Sequence, residues 1–307
     1  MSRTRANVVL LLVALIWGSA FVAQSLGMAG MGPLTFTGVR FALGAAVIAP
    51  LTLREWRGLR AAGRAPGWPD SGRIALLGSL LFLGAAMQQI GMLSTTVTNA
   101  GFLTALYVPL VPLLAWGLFA QAPHWSVWPA SFGCVIGAGL LTGAGTGGPA
   151  QAARDWWVIG SSLPWALHVL LVGRAARRLQ GALVVATGQF LVCSVLSLAA
   201  GLATEPQSAA GFRTAIGAIL YTGVISVGIG FTLQVVGQRH ARPADAAIVL
   251  SAETLFAALF GALLMGDRLG PSGLAGCALI FTCVALVQLQ PLLPTAPGGR
   301  GREPPRP

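Results

Sequence analysis

The sequence predicts an all-α integral membrane protein with ten transmembrane helices arranged as two inverted five-helix repeats, and three observations support this fold class. Hydrophobic residue types fill 55% of the 307 positions and charged types only 9%, with a mean hydropathy of +0.76, whereas soluble domains are roughly 25% charged. Apolar stretches near the ~20 residues that cross a bilayer as helix recur along the whole chain. The chain also matches itself: Gln88, Gly91, Asn99 and Ala100 correspond to Gln234, Gly237, Asp245 and Ala246 at a constant offset of 146, and Gly133-Cys134 answers Gly276-Cys277 at 143.

Residues 1–6 form a short polar N-terminus. The first span, 7–28, follows Arg3 and Arg5. It exceeds the ~7–15 apolar residues of a secretory leader, and its Leu15 and Trp17 match Leu163 and Trp165 of the sixth span, so it reads as a retained helix. Spans at 33–53, 74–93, 97–120 and 126–144 complete a first repeat over 7–144. A linker at 145–153 lies in the Gly-rich run that ends near Pro149, a composition that neither continues a helix nor fills a core. Spans at 156–173, 182–203, 214–236, 244–265 and 271–290 make a second repeat over 154–290. The tail, 291–307, lacks apolar periodicity and reads as disordered. Each repeat holds an odd number of helices, so the second enters the membrane from the side opposite to the first. Such inverted repeats are the geometric basis of alternating access in many carriers.

Charge sets the orientation. All 19 basic residues are arginines. Counting from a cytoplasmic N-terminus, Arg3, Arg5, the group from Arg54 to Arg73, Arg174 to Arg178, Arg239, Arg242 and the tail arginines share one side, and only Arg154, Arg213 and Arg268 fall on the other. The positive-inside rule then puts both termini in the cytoplasm of a multi-pass protein of the inner or plasma membrane. The net charge of +11 needs no nucleic-acid partner, and it favours anionic membrane lipid. Cys134, Cys193, Cys277 and Cys283 lie in spans without CxxC spacing and read as small buried residues. Neither a metal nor any other cofactor is implied.

The order Trp17-Gly18-Ser19-Ala20-Phe21-Val22, then Arg40-Phe41, then Gln89 to Thr96 with Asn99-Ala100-Gly101-Phe102-Leu103-Thr104, resembles the EamA-type transporters of the drug/metabolite transporter superfamily. So does Leu250-Ser251-Ala252-Glu253-Thr254-Leu255-Phe256 followed by Gly266-Asp267-Arg268. The resemblance covers roughly residues 7 to 290. It implies a ten-helix inverted-repeat carrier, with relatives that are mostly exporters of amino acids, metabolites or drugs. Two departures are visible: Glu253-Thr254 stands where that family often has Glu-Pro, and the acid closing the ninth helix is Asp267.

Glu253 is the leading site candidate, because nine residues of helix place it ~14 Å deep in a ~30 Å hydrocarbon layer. An ionised carboxylate there is costly unless paired, protonated or facing water. It reads as a proton-coupling site, as the counter-charge of an amine-bearing substrate, or as a buried acid bonded to a neighbouring helix. Tyr107 is its counterpart at the offset of 146, and a hydroxyl and aromatic face across from a carboxylate suits a cationic or zwitterionic molecule. Arg40, ~10 Å from the outer end of its span, reads as a carboxylate or phosphate clamp, a snorkelling side chain or half of an ion pair. Gln88 and its equivalent Gln234, with Gln89 beside the first, read as cavity lining or as helix–helix hydrogen bonds. Trp17 and its equivalent Trp165 read as a cavity mouth or core packing, and His168 as a packing residue or a proton relay. Asn99 and Asp245 read as N-caps. Pro109, Pro112 and Pro164 remove backbone donors and are candidate bending points.

A Ser/His intramembrane hydrolase would need Gly-x-Ser-Gly, which Gly18-Ser19-Ala20 does not supply, and paired intramembrane aspartates are absent. A nucleotide-driven pump would need GxxxxGK[ST] in a chain without lysine. The sequence therefore points away from an enzyme and toward a secondary transporter of a small-molecule substrate, with protons as a possible coupling ion and a homo-oligomer allowed. A non-transporting sensor or scaffold is the alternative, and it would leave the symmetry and the midplane acid unexplained.

Overall fold

The computed structural model describes residues 1–95, 97–142, 148–266 and 270–289. Among these residues the chain is helical without strands and forms ten spans. They are α1 (Arg3–Met28), α2 (Pro33–Ala61), α3 (Trp68–Gly91), α4 in two pieces (Val97–Thr104 and Tyr107–Phe119), α5 (Val127–Thr142), α6 (Gly148–Leu179), α7 (Ala182–Thr204), α8, α9 and α10 (Pro271–Leu289). α8 runs through Ala209–Leu220, a π-helical stretch Tyr221–Phe231, and Thr232–Gln238. α9 consists of Pro243–Leu250, Glu253–Phe260 and a π-turn Gly261–Met265. The expected linker is therefore helical from Gly148 onward. Residues 145–147, Asp267 and the tail 291–307 lie outside the described residues.

Local chemistry fixes the helix starts. Ser2 accepts the amide of Arg5, and Ser208 that of Gly211, so each caps its helix. Pro33 and Pro243 open α2 and α9 at positions where a missing N–H costs nothing. Two carboxylates lock α2 and α7 together end to end. Glu205, at the end of α7, takes the amides of Leu34 (2.7 Å) and Thr35 (2.8 Å), while Glu55, near the end of α2, takes the amide of Val184 (2.8 Å) in the first turn of α7. Asp245 is not an N-cap, because Arg242 holds that position. It lies in the first turn of α9 and pairs with Arg3 at 2.9 Å, tying α1 to α9. The side chain of Asn99, the third residue of α4, lies outside what the structure describes.

The two halves interleave, because α2 packs on α7 and α8, α3 on α6 and α7, and α1 on α8 and α9. α5 and α10 pack on each other. Gly18 brings α1 onto the backbone of α9: a Cβ there would stand 2.4 Å from Phe256 Cβ and 2.8 Å from the carbonyl oxygen of Glu253. Leu10, Val13, Val111, Val172 and Ile248 are wholly buried in one core, while Leu83, Leu113, Leu191, Val195 and Phe281 stay exposed. An apolar exterior of that kind is costly in water and matches a bilayer.

Candidate functional site

The spans converge on one central cavity with about 40 Å³ of space open to water. α1 contributes Trp17, Phe21 and Gln24, spaced as one helix face; α2 contributes Arg40, α3 Gln88, and α4 Thr104 and Tyr107. From the second half come Trp165 and Val169 of α6, Ser226, Phe231 and Gln234 of α8, and Glu253 of α9. Both halves thus build the lining.

The breaks in α4 and α9 place the two residues that the repeat pairs. Ala105–Leu106 and Ser251–Ala252 interrupt the helices at equivalent positions, so Tyr107 and Glu253 each begin the second piece. Both are buried, at 3% and 4% exposure, and both face the cavity. They lie within electrostatic reach of each other. The Tyr107 hydroxyl donates weakly, at 3.5 Å, to the Ala247 carbonyl. Among the described residues Glu253 has neither an ion pair nor a side-chain hydrogen bond, so its carboxylate is open toward the cavity.

Arg40 does not snorkel. It is 3% exposed, its Nη1 donates to Gln24 Oε1 at 2.7 Å, and its guanidinium lies over the rings of Phe36 (5.7 Å) and Phe41 (5.3 Å). No ion pair joins it to Glu253 among the described residues, so an acidic and a basic side chain line one cavity without pairing. Aromatic rings fill the wall between the halves. Phe231 lies 4.5 Å from Trp17 and 6.0 Å from Trp165, measured between centroids, which makes it the shared neighbour of the two repeat-related tryptophans.

The amides divide. Gln88 donates to Thr104 Oγ1 at 2.7 Å, and that hydroxyl donates to the Ala100 carbonyl, so Gln88 is held in place. Gln234 is fully buried with neither amide atom partnered, and Arg40 Nε and Trp165 Nε1 are also unpartnered. Buried polar groups without partners cost about 1–3 kcal/mol each, which a bound molecule or water can offset. Gln89 and His168 lie outside the lining. Gln89 donates to Met28 Sδ at 3.2 Å, and His168 Nε2 meets Gln189 Oε1 at 2.8 Å between α6 and α7. Pro109 follows the α4 break, and Pro112 and Pro164 lie inside their helices. Gln24, Thr104, Ser226 and Phe231 were not evident as site residues in the sequence. The i, i+4, i+7 spacing of Trp17, Phe21 and Gln24 was the signal available for the first of them. Ser226 and Phe231 are five apart on the same wall because α8 is π-helical there, with its wider turn.

A profile of the EamA-like transporter family matches residues 4–143 and 153–289, one copy in each half. A protein of Archaeoglobus fulgidus described as an uncharacterized transporter is 28% identical over 288 residues, covering 94% of this chain and 87% of its own length. The uncharacterized transporter YvbV of Bacillus subtilis is 26% identical over 293 residues, covering 93% and 92%. One solved crystal structure superposes with a TM-score of 0.78 over 94% of this chain and 99% of its own, at 20% identity, a likeness of fold.

Proposed function

The chain belongs to the EamA-like transporter family, within the drug/metabolite transporter superfamily, and from that membership we propose a secondary transporter that exports a small amphipathic molecule through the central cavity by alternating access. The observation that carries this reading is the chemistry left open inside the cavity. An unpartnered carboxylate on Glu253, a guanidinium on Arg40 with Nε free, and the aromatic wall of Trp17, Phe231 and Trp165 would meet an ammonium, a carboxylate and a flat apolar body. A molecule bearing all three, such as an amino acid or an amine-containing drug, would offset the desolvation of these groups. The inverted halves supply two related conformations, and the paired breaks in α4 and α9 supply bending points beside the site. Orientation with both termini in the cytoplasm follows from the arginine distribution.

Coupling is read from Glu253. In proton antiport the carboxylate would exchange a proton for the cationic group of the substrate; in facilitated diffusion it would serve only as counter-charge. Flux of a mixed amino-acid, amine and drug panel in proteoliposomes, with and without an imposed pH gradient, compares wild type with Glu253→Gln. The expected result is gradient-driven flux in wild type that the variant loses while keeping its helical content. Flux indifferent to the gradient but dependent on Glu253 makes the carrier passive, and wild-type flux in the variant removes Glu253 from the site.

A further inference from the structure

On the face that carries the N-terminus, a second recess has about 570 Å³ of space open to water. It opens between the α4–α5 connection, the end of α6 and the α8–α9 connection. In chain order the wholly buried Val111, Val172 and Ile248 stand between its lining residues and those of the central cavity, and the two linings share no residue. The two are separate sites.

We propose that this recess binds a phosphate group, whether that of an anionic phospholipid headgroup or of the free ion. Arg177, Arg239 and Arg242 line it, and the planar guanidinium fork matches phosphate oxygens. Arg177 is held in position, with Nη1 donating to the carbonyls of Gln238 (3.1 Å) and Arg239 (3.3 Å). Its remaining N–H groups are left for a ligand. Arg239 is half-buried and Arg242 exposed.

The other titratable groups of the lining do not cancel this charge. Asp245 is its one carboxylate among the described residues, and Arg3 compensates it at 2.9 Å. His124 bonds Ser126 Oγ at 2.9 Å, and His240 Nδ1 donates to the Val236 carbonyl at 3.1 Å. α9 also begins here, and the amides of Ala244 and Asp245 in its first turn have no acceptor within the helix. Three arginines from two segments line this one recess, whereas at the α2 end Arg60 lies over the Trp56 ring and Arg64 bonds Gln180. The negative potential of an inner leaflet would concentrate anionic headgroups at this face.

The test uses the full chain in nanodiscs. Retained lipid is counted by native mass spectrometry in phosphatidylcholine containing a minor fraction of phosphatidylglycerol, for wild type, for Arg239→Gln with Arg242→Gln, and for Arg54→Gln with Arg57→Gln. The last pair removes the same charge from exposed positions outside the recess. Wild type and the outside pair are expected to retain phosphatidylglycerol in preference, and the recess pair to lose that preference by about tenfold or more. Arg242→Gln alone, at an exposed position, gives a smaller loss and guards against misfolding of the double variant. In pure phosphatidylcholine, inorganic phosphate raising the unfolding temperature of wild type and the outside pair, but not of the recess pair, supports the site and makes the free ion a ligand. Equal loss in both double variants, or no response to either phosphatidylglycerol or phosphate, overturns the proposal.

Discussion

At equivalent positions 146 residues apart, α4 and α9 break in the same place with different backbone chemistry. In α4 Pro109 has no N–H to give the carbonyl of Ala105, and that carbonyl accepts the amide of Val108 at 3.0 Å. In α9 the equivalent residue is Leu255, which has an N–H. There the carbonyl of Ser251 is taken by the amide of Thr254 at 3.1 Å and by its hydroxyl at 2.8 Å, and Leu255 turns to Ala252. The side chains that follow the breaks differ as well, Tyr107 in one half and Glu253 in the other. α2 and α7 behave alike: Arg40-Phe41 and Gln189-Phe190 correspond at an offset of 149, the two phenylalanines pack at 5.9 Å, and the charge is in one half only. The duplicated backbone positions the site, and its charges arise where the copies diverge.

The widest divergence gives the largest expected effect. Glu253→Gln removes the charge from an open carboxylate, and flux of an amine-bearing substrate is expected to fall ~100-fold, about the loss of one desolvated charge contact. Tyr107→Phe removes a hydroxyl that makes only one long hydrogen bond, so its effect should stay within ~10-fold. Flux assays on the two variants side by side measure the asymmetry. Equal losses would mean that the pair acts as a symmetric gate, and unchanged transport in both Tyr107→Phe and Tyr107→Ala would remove Tyr107 from the site.

A second divergence concerns packing. Gly18 and Ala166 correspond at the offset of 148 that relates Trp17 to Trp165, and only Gly18 must lie against a helix backbone. Gly18→Ala is expected to destabilise the fold by about 1–3 kcal/mol, because the new Cβ meets Phe256 and the Glu253 turn. Ala166→Gly should cost about 0.5–1 kcal/mol, the backbone entropy of a mid-helix glycine. Thermal unfolding in detergent ranks the two, and the reverse order would show that α1 can move away from α9 at little cost.

The fold was legible in the sequence because ten apolar stretches and a constant offset depend on composition and order alone. Seven of the nine cavity candidates line the cavity, five of them because an isolated polar residue in a span must face something polar, and Trp17 and Trp165 as repeat equivalents. Gln89 and His168 satisfy that rule differently, through contacts with Met28 and Gln189 on other helices, and nothing in their own segments distinguishes a polar neighbour from a cavity. Ser226 and Phe231 were hidden because a regular helical period does not place residues five apart on one wall, and the π-helical turn does. Asp245 read as a cap because its partner, Arg3, lies 242 residues away in the chain.

The smallest expected effects come from the breaks themselves, and they separate two explanations of why both helices bend. If backbone chemistry sets each bend, Pro109→Ala restores a donor to Ala105 and straightens α4 alone, while Thr254→Val removes the hydroxyl, one of the two donors on the Ser251 carbonyl, and relaxes α9 alone. Stability changes should stay within ~1 kcal/mol in either case, the scale of one exchanged hydrogen bond. Spin-label distances between the ends of each helix read the bend directly, and flux should fall a few-fold in each variant as a bending point stiffens. If Pro109→Ala leaves α4 bent, tertiary packing and not the proline holds the break. The agreement in position between α4 and α9 would then come from the shared surroundings of the two repeats, with Pro109 and Thr254 each merely accommodated there.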